Sequence, residues 1–209
     1  MNFLLVPSDK LFLFEGGNMK KRSDIKKLAL ASILTATAVV VEFLTSLIPG
    51  MPQGGNFFGI SMLFIFIIAY ICGIGYGLVC GFLFGWFNFL TGLIGGFWWH
   101  WGSIFFDYLI PCTMLALVGL RKKGLYTWYE FMISILIVCF IRYCSHVFSG
   151  ILFFSENANG KNVWLFSLGY NGWYMLSSTA ICIVVGLLIR KRVVTLKEGF
   201  LQQSSNNPT

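Results

Sequence analysis

The stretch FMISILIVCFIRYCSHVFSGILFF, residues Phe131 to Phe154, decides how the rest of the chain is read. It is long and apolar enough for the ~20 residues that a bilayer crossing requires, yet it carries Arg142 and His146 in its interior. Ionisable groups at membrane depth are costly and face a protein interior or a watery cavity rather than lipid. The stretch therefore calls for a bundle of helices around it and a polar site within that bundle.

Composition agrees. Of 209 residues, 57% are hydrophobic and 11% charged, with a mean hydropathy of +0.77, whereas soluble domains carry about 25% charged residues. The net charge of +7 is not a nucleic-acid face, because its placement is segmental. Lys20, Lys21, Arg22, Lys26 and Lys27 precede the first apolar run. Arg121 to Lys123 follow the fourth, and Arg190 to Arg192 follow the last. Basic clusters at those places mark cytoplasmic ends of spans.

Six spans are expected: 28–48, 57–72, 74–93, 102–120, 131–154 and 165–189. The second is short, so it sits inside the bundle or has ragged ends. Both termini then lie in the cytoplasm of a multi-pass protein of the bacterial cell membrane, and loops one, three and five face outward. The fold class is all-α, a six-helix membrane bundle. Residues 1–18 read as a disordered extension or as a misassigned start, with Met19 the usual one. Residues 19–193 form the membrane domain, and 194–209 a cytoplasmic tail.

Gly73, Gly77, Gly81 and Gly85 recur at every fourth position of the third span, a spacing that lets another backbone approach one helix face. Trp98, Trp99 and Trp101 suit an interfacial anchor. The six cysteines (72, 80, 112, 139, 144 and 182) are scattered through apolar segments without a CxxC or Cys/His cluster. They read as small buried hydrophobes, not as a disulfide or metal framework.

Four titratable groups fall within the spans: Glu42, Asp107, Arg142 and His146. At ~1.5 Å rise per residue, Glu42 lies about 9 Å and Asp107 about 7 Å below the outer span ends, His146 about 12 Å and Arg142 about 18 Å. Arg142, His146 and Gly150 share one helix face. Arg142 is expected to pair with Asp107 or Glu42, while a neutral His146 can donate to and accept from a polar ligand. Two carboxylates against one fixed cation leave the cluster slightly negative, which suits a small cation. Nothing points to an enzyme or an ATPase. Ser149 near His146 lacks a GxSxG elbow, no phosphate-binding loop of the GxxxxGK[ST] type occurs, and no cofactor is implied.

Four blocks in this order resemble a known family: MPQGG at Met51–Gly55, DYLIP at Asp107–Pro111, RYCSHVFSGILFF at Arg142–Phe154 and VWLFSLGYNGWYM at Val163–Met175. They resemble the energy-coupled thiamine transporters, which are the thiamine-specific substrate-binding S components of energy-coupling factor (ECF) transporters. The resemblance runs from about Met19 to Lys191. It implies six helices, a thiamine site near the outer surface, and a first loop that covers it. It also implies partners: a transmembrane coupling protein and two cytoplasmic ATPase subunits, the coupling protein contacting small residues of the first helix. Here those residues are Ala31, Ser32, Thr35 and Ala36.

Carried over by position, the resemblance implies that His146 and Asn171 bond the aminopyrimidine and that Tyr108 supplies an aromatic face. Asp107 either offsets the ligand's charge or neutralises Arg142. Trp164 stands in a matched block and reads equally as an interfacial anchor. Gln53, Gly54 and Gly55 belong to the covering loop. The chain also departs from the pattern. Phe97 and Phe166 replace tyrosines, Phe154 replaces a tryptophan, and a family glutamate falls near Gly59. The aromatic faces survive while two hydroxyls and a carboxylate are lost, which keeps open a related ligand such as a thiamine precursor or another vitamin.

Overall fold

The computed structural model describes residues 8–48, 50–51, 54–94, 100–121 and 123–205. Among the described residues six main helices follow one another: α1 (Ser8–Ser46), α2 (Gly59–Ile71), α3 (Ile74–Ile94), α4 (Trp101–Leu120), α5 (Trp128–Phe153) and α6 (Val163–Ser205), with a short 3-10 turn at Ser155–Ala158 between the last two. No strand occurs among the described residues. Five of these helices contain a stretch long and apolar enough to cross a membrane, and Gly59–Ile71 is shorter.

The short α2 is the axis of the bundle. It packs against α1, α3, α4 and α6, and Met62, Leu63, Ile65, Phe66, Ile68, Ala69, Tyr70 and Ile71 are all buried. A helix that is apolar all round is one surrounded by protein, so the expectation of a short span held inside the bundle is met. The outer helices are apolar outward instead. Val79, Phe82, Phe140, Leu152, Leu176 and Leu188 are exposed, the belt that a bilayer covers. Lipid is as apolar as leucine, so close packing and internal hydrogen bonds must hold such helices together.

Glycine supplies the close packing between α3 and its neighbours. A Cβ on Gly77 would meet the methyls of Ala69 and Ala116 at 2.8 and 2.9 Å, and one on Gly81 would meet the Cys112 carbonyl oxygen at 2.5 Å. The expected groove is thus filled within the chain. Gly73 is different: it lies in the α2–α3 turn at φ +103°, a backbone conformation favouring glycine, and is not part of the groove.

Two helices differ from the expected spans. Helix α1 reaches back to Ser8, although its apolar portion starts at Asp24. Helix α6 runs on past Ile189 to Ser205, with Val193 buried and Val194 and Phe200 packed on the core. Among the described residues all six cysteines are free.

Candidate functional site

The site begins with an irregularity in α4. Residues Ile104–Leu109 (IFFDYL) form a π-helical turn, with the Ile110 N–H donating to the Phe105 carbonyl. Such turns are rare and concentrate at functional sites. Pro111 accounts for the local bonding. It has no N–H, so in the i→i+5 register the Phe106 carbonyl loses its partner. Ser145 on α5 takes its place, Oγ to Phe106 O at 2.5 Å. The widened turn carries Asp107 and Tyr108, both of which line a cavity of about 720 Å³ between the helices.

Helix α5 supplies the opposite wall. His146 Nδ1 lies 3.0 Å from Asp107 Oδ1, and Ser149 Oγ donates to Asp107 Oδ2 at 2.5 Å. With Asp107 accepting, Nδ1 carries the proton and Nε2 offers a lone pair. That Nε2 has no partner among the described residues although it is buried, and neither do Nε and Nη1 of Arg142. Both side chains line the cavity. Buried donors and acceptors are ordinarily satisfied, so three orphans on two cavity-lining side chains are an unmet hydrogen-bonding need beside the cavity.

The expected pairing of Arg142 with Asp107 or Glu42 does not form. Among the described residues the ion pairs are Arg121–Glu130 and His146–Asp107. The carboxylate of Asp107 is spent on His146 and Ser149. Glu42 accepts from Ser61 Oγ and, at 3.2 Å, from Asn56 Nδ2. Nor does Ser149 reach the free nitrogen of His146, so no Ser–His nucleophile pair is assembled.

Asn171 on α6 is buried and used mostly for structure. Its Nδ2 donates to Ser167 O at 2.9 Å, to Ser167 Oγ at 3.2 Å and to His146 O at 3.4 Å, and its Oδ1 accepts from Tyr174 at 2.7 Å. The amide thus ties α6 to α5 beside His146 and keeps acceptor capacity on Oδ1. Gly150 permits this contact, since a Cβ there would collide with Ser167 Oγ.

The same helix carries an aromatic row of which sequence reading named Phe166 and passed over Tyr170 and Tyr174. Phe166, Tyr170 and Tyr174 fall at i, i+4 and i+8, and all line the cavity. Phe166 stacks on Tyr170 (centroids 6.0 Å apart, 22°), Tyr170 meets Tyr174 edge-on at 5.8 Å, and Tyr174 meets His146 edge-on at 6.1 Å. The spacing was the available signal, being that of Arg142, His146 and Gly150 on α5.

The described residues between α1 and α2 form part of the cavity's lining. Met51 N–H donates to Gly55 O at 2.8 Å around Gly54, whose φ is +93°, and Gly55 N–H donates to Tyr170 Oη at 3.1 Å. Gly54, Gly55 and Asn56 line the cavity, as do Phe153, Phe154 and Glu42. His100 caps the start of α4, its Nδ1 accepting from Gly102 N–H at 3.1 Å, and stacks on Phe153 at 4.8 Å.

Of the residues singled out in the sequence, Asp107, Tyr108, His146, Phe154, Phe166, Asn171, Gly54 and Gly55 therefore converge on one cavity. Trp164 does not: it is 56% exposed at the start of α6, away from the lining residues. Gln53, Phe97, Trp98 and Trp99 lie outside the described residues. Tyr108 is held edge-on against Phe89, centroids 5.5 Å apart. On the far side of α1, Ala31, Ser32, Thr35 and Ala36 border a shallow apolar groove shared with α3. Ser32 and Ala36 are exposed there, while Ala31 and Thr35 form its buried floor.

Comparison with known proteins gives one answer. The family model described as Thiamine transporter protein (Thia_YuaJ) matches residues 28–197. The thiamine transporter ThiT of Bacillus subtilis (strain 168) is 32% identical over 182 residues, spanning 82% of this chain and 93% of that protein. ThiT of Lacticaseibacillus paracasei is 28% identical over 180 residues, spanning 75% and 86%. The solved structure of ThiT from Listeria monocytogenes superposes with a TM-score of 0.69 at 21% identity, over 83% of this chain and 97% of that one, a likeness of fold. The chain is a multi-span membrane protein and belongs to the thiamine transporter protein family.

Proposed function

We propose that this protein captures thiamine outside the cell and delivers it inward as the substrate-binding S component of an ATP-driven ECF transporter. The observation that carries the reading is the set of buried, unpartnered atoms on two side chains that line the cavity: Nε2 of His146, and Nε and Nη1 of Arg142. An aminopyrimidine complements them. Its exocyclic amine donates to Nε2 and its ring nitrogens accept from the guanidinium. The cationic thiazolium gains from the faces of Tyr108, Tyr174 and Phe154 and from the two carboxylates. The volume of about 720 Å³ lies within the ~300–1,000 Å³ of small-molecule sites.

The placement of lysines and arginines supports a cavity that opens outward with both termini in the cytoplasm. The loop bearing Gly54 and Gly55 then acts as the cover. The exposed Ser32 and Ala36, with the groove beside them, are the proposed contact for the transmembrane coupling protein, which would carry the drive of two ATPase subunits.

Titration of the purified chain in detergent with thiamine tests the reading. Tryptophan fluorescence should quench and calorimetry should saturate at one ligand per chain. Competition by the pyrimidine and thiazole halves separates thiamine from a precursor. No response to thiamine alongside clear binding of another vitamin overturns the assignment.

A further inference from the structure

We infer that Glu42 is a specificity-determining residue of the cavity: it supplies the second negative charge that admits a cationic ligand beside Arg142. The inference rests on the thiamine reading and adds to it a residue that none of the motif blocks contains. Glu42 belongs to α1, yet it lines the same cavity as Asp107, Arg142 and His146. Its two oxygens accept from Ser61 Oγ and Asn56 Nδ2, both neutral donors. They satisfy the carboxylate's hydrogen bonding and leave its charge in place.

The charge count then depends on Glu42. Arg142 contributes a fixed positive charge with no ion pair among the described residues. Asp107 cancels it in number, although its oxygens are directed to His146 and Ser149. Glu156 also lines the cavity but is exposed to water, so its charge is screened. Counting the less exposed groups alone, removal of Glu42 would leave the empty cavity neutral and a bound thiazolium with one positive charge uncompensated. Such a charge is expensive to bury. With Glu42 the loaded cavity balances. A rival role is mechanical: through Asn56, Glu42 also holds the segment that descends from the covering loop. The two roles separate cleanly, because a charge matters only to a charged ligand whereas a loop tie matters to any ligand.

The test is calorimetry on the full chain with thiamine and with its neutral isostere in which a thiophene replaces the thiazolium. In the wild type, thiamine should bind tighter than the isostere by about tenfold or more. Glu42→Gln keeps the shape and removes the charge; it should weaken thiamine by about tenfold and leave the isostere within about twofold. Glu42→Asp should retain most of the preference. Equal loss of both ligands in Glu42→Gln identifies a loop tie and overturns the inference, as does no loss of either, or a wild-type preference near one. Should Glu42→Gln fail to fold, Ser61→Ala keeps the charge and removes one tie. It is expected to preserve the preference, and loss of the preference there also overturns the inference. A wild type that binds no thiamine refutes the underlying functional reading instead.

Discussion

Asp107 reaches His146 rather than Arg142. The Oδ1–Nδ1 contact is 3.0 Å, Ser149 takes the other oxygen at 2.5 Å, and Arg142 is left with two buried nitrogens unpartnered. One carboxylate therefore fixes the tautomer of the imidazole, while the guanidinium is left without a carboxylate partner among the described residues. The division of labour runs opposite to the pairing rule for intramembrane charges, and it yields distinct consequences for each residue.

Asp107→Asn keeps the shape but can donate as well as accept, so Nε2 is no longer held as an acceptor. Hydrogen bonds involving a charged partner are worth ~1.5–3 kcal/mol, and thiamine affinity should fall by roughly 10- to 100-fold. Calorimetry with the pyrimidine half alone should show part of that loss, because His146 serves that half, while the lost negative charge weighs only on whole thiamine. A loss confined to whole thiamine would place Asp107 against the thiazolium instead.

Arg142→Met separates binding from folding. Arg142 has no ion pair among the described residues, so an apolar side chain of similar length removes the cost of burying an unpaired charge, and functional sites commonly hold such unfavourable groups. The ligand-free variant should melt at least as high as the wild type, by about 2–4 °C for each kcal/mol relieved, while thiamine affinity falls about tenfold or more. A lower melting temperature would show that Arg142 serves the bundle.

Much of this was legible in the chain, for identifiable reasons. Helix positions follow from apolar length, and the burial of α2 follows from its being apolar on every side. The positions of Asp107, Tyr108, His146 and Asn171 follow from ordered motif blocks. Partner choice among the charges did not follow, because it depends on a π-helical turn set around Pro111 and on hydroxyls of Ser145, Ser149 and Ser61 that carry no signal of their own. Trp164, which reads equally as a site residue or an interfacial anchor, sits one position after the helix start, where Asn162 Oδ1 accepts from its backbone N–H at 3.0 Å; it is exposed and does not line the cavity.

Tyr170→Phe removes the acceptor of the Gly55 N–H and leaves the ring stack with Phe166 in place. A neutral hydrogen bond contributes about 1 kcal/mol, which corresponds to roughly fivefold in an equilibrium. The covering loop should open more often, so thiamine dissociation should accelerate by about that factor with little change in association. Stopped-flow fluorescence reads both rates. A change in association alone would argue against a cover held through Tyr170.

Gly85 links the glycine series of α3 to the site. A Cβ at Gly85 would lie 2.6 Å from the Tyr108 carbonyl oxygen and 3.1 Å from Cys112 Cβ, and a backbone oxygen of α4 cannot turn aside as a flexible side chain can. Gly85→Ala must therefore push α4 away from α3 at the turn that carries Asp107 and Tyr108. Gly169 on α6 is the control, with nothing within 4 Å of its would-be Cβ. Ala at Gly169 should raise stability by up to ~1 kcal/mol through helix propensity and leave binding unchanged. Gly85→Ala should lose ~1–3 kcal/mol by overpacking and also weaken thiamine binding, as thermal melting and calorimetry on the same samples would show. If Gly85→Ala lowers the melting temperature without touching affinity, the shift is absorbed before it reaches the π-helical turn, and the α3–α4 contact only supports the bundle.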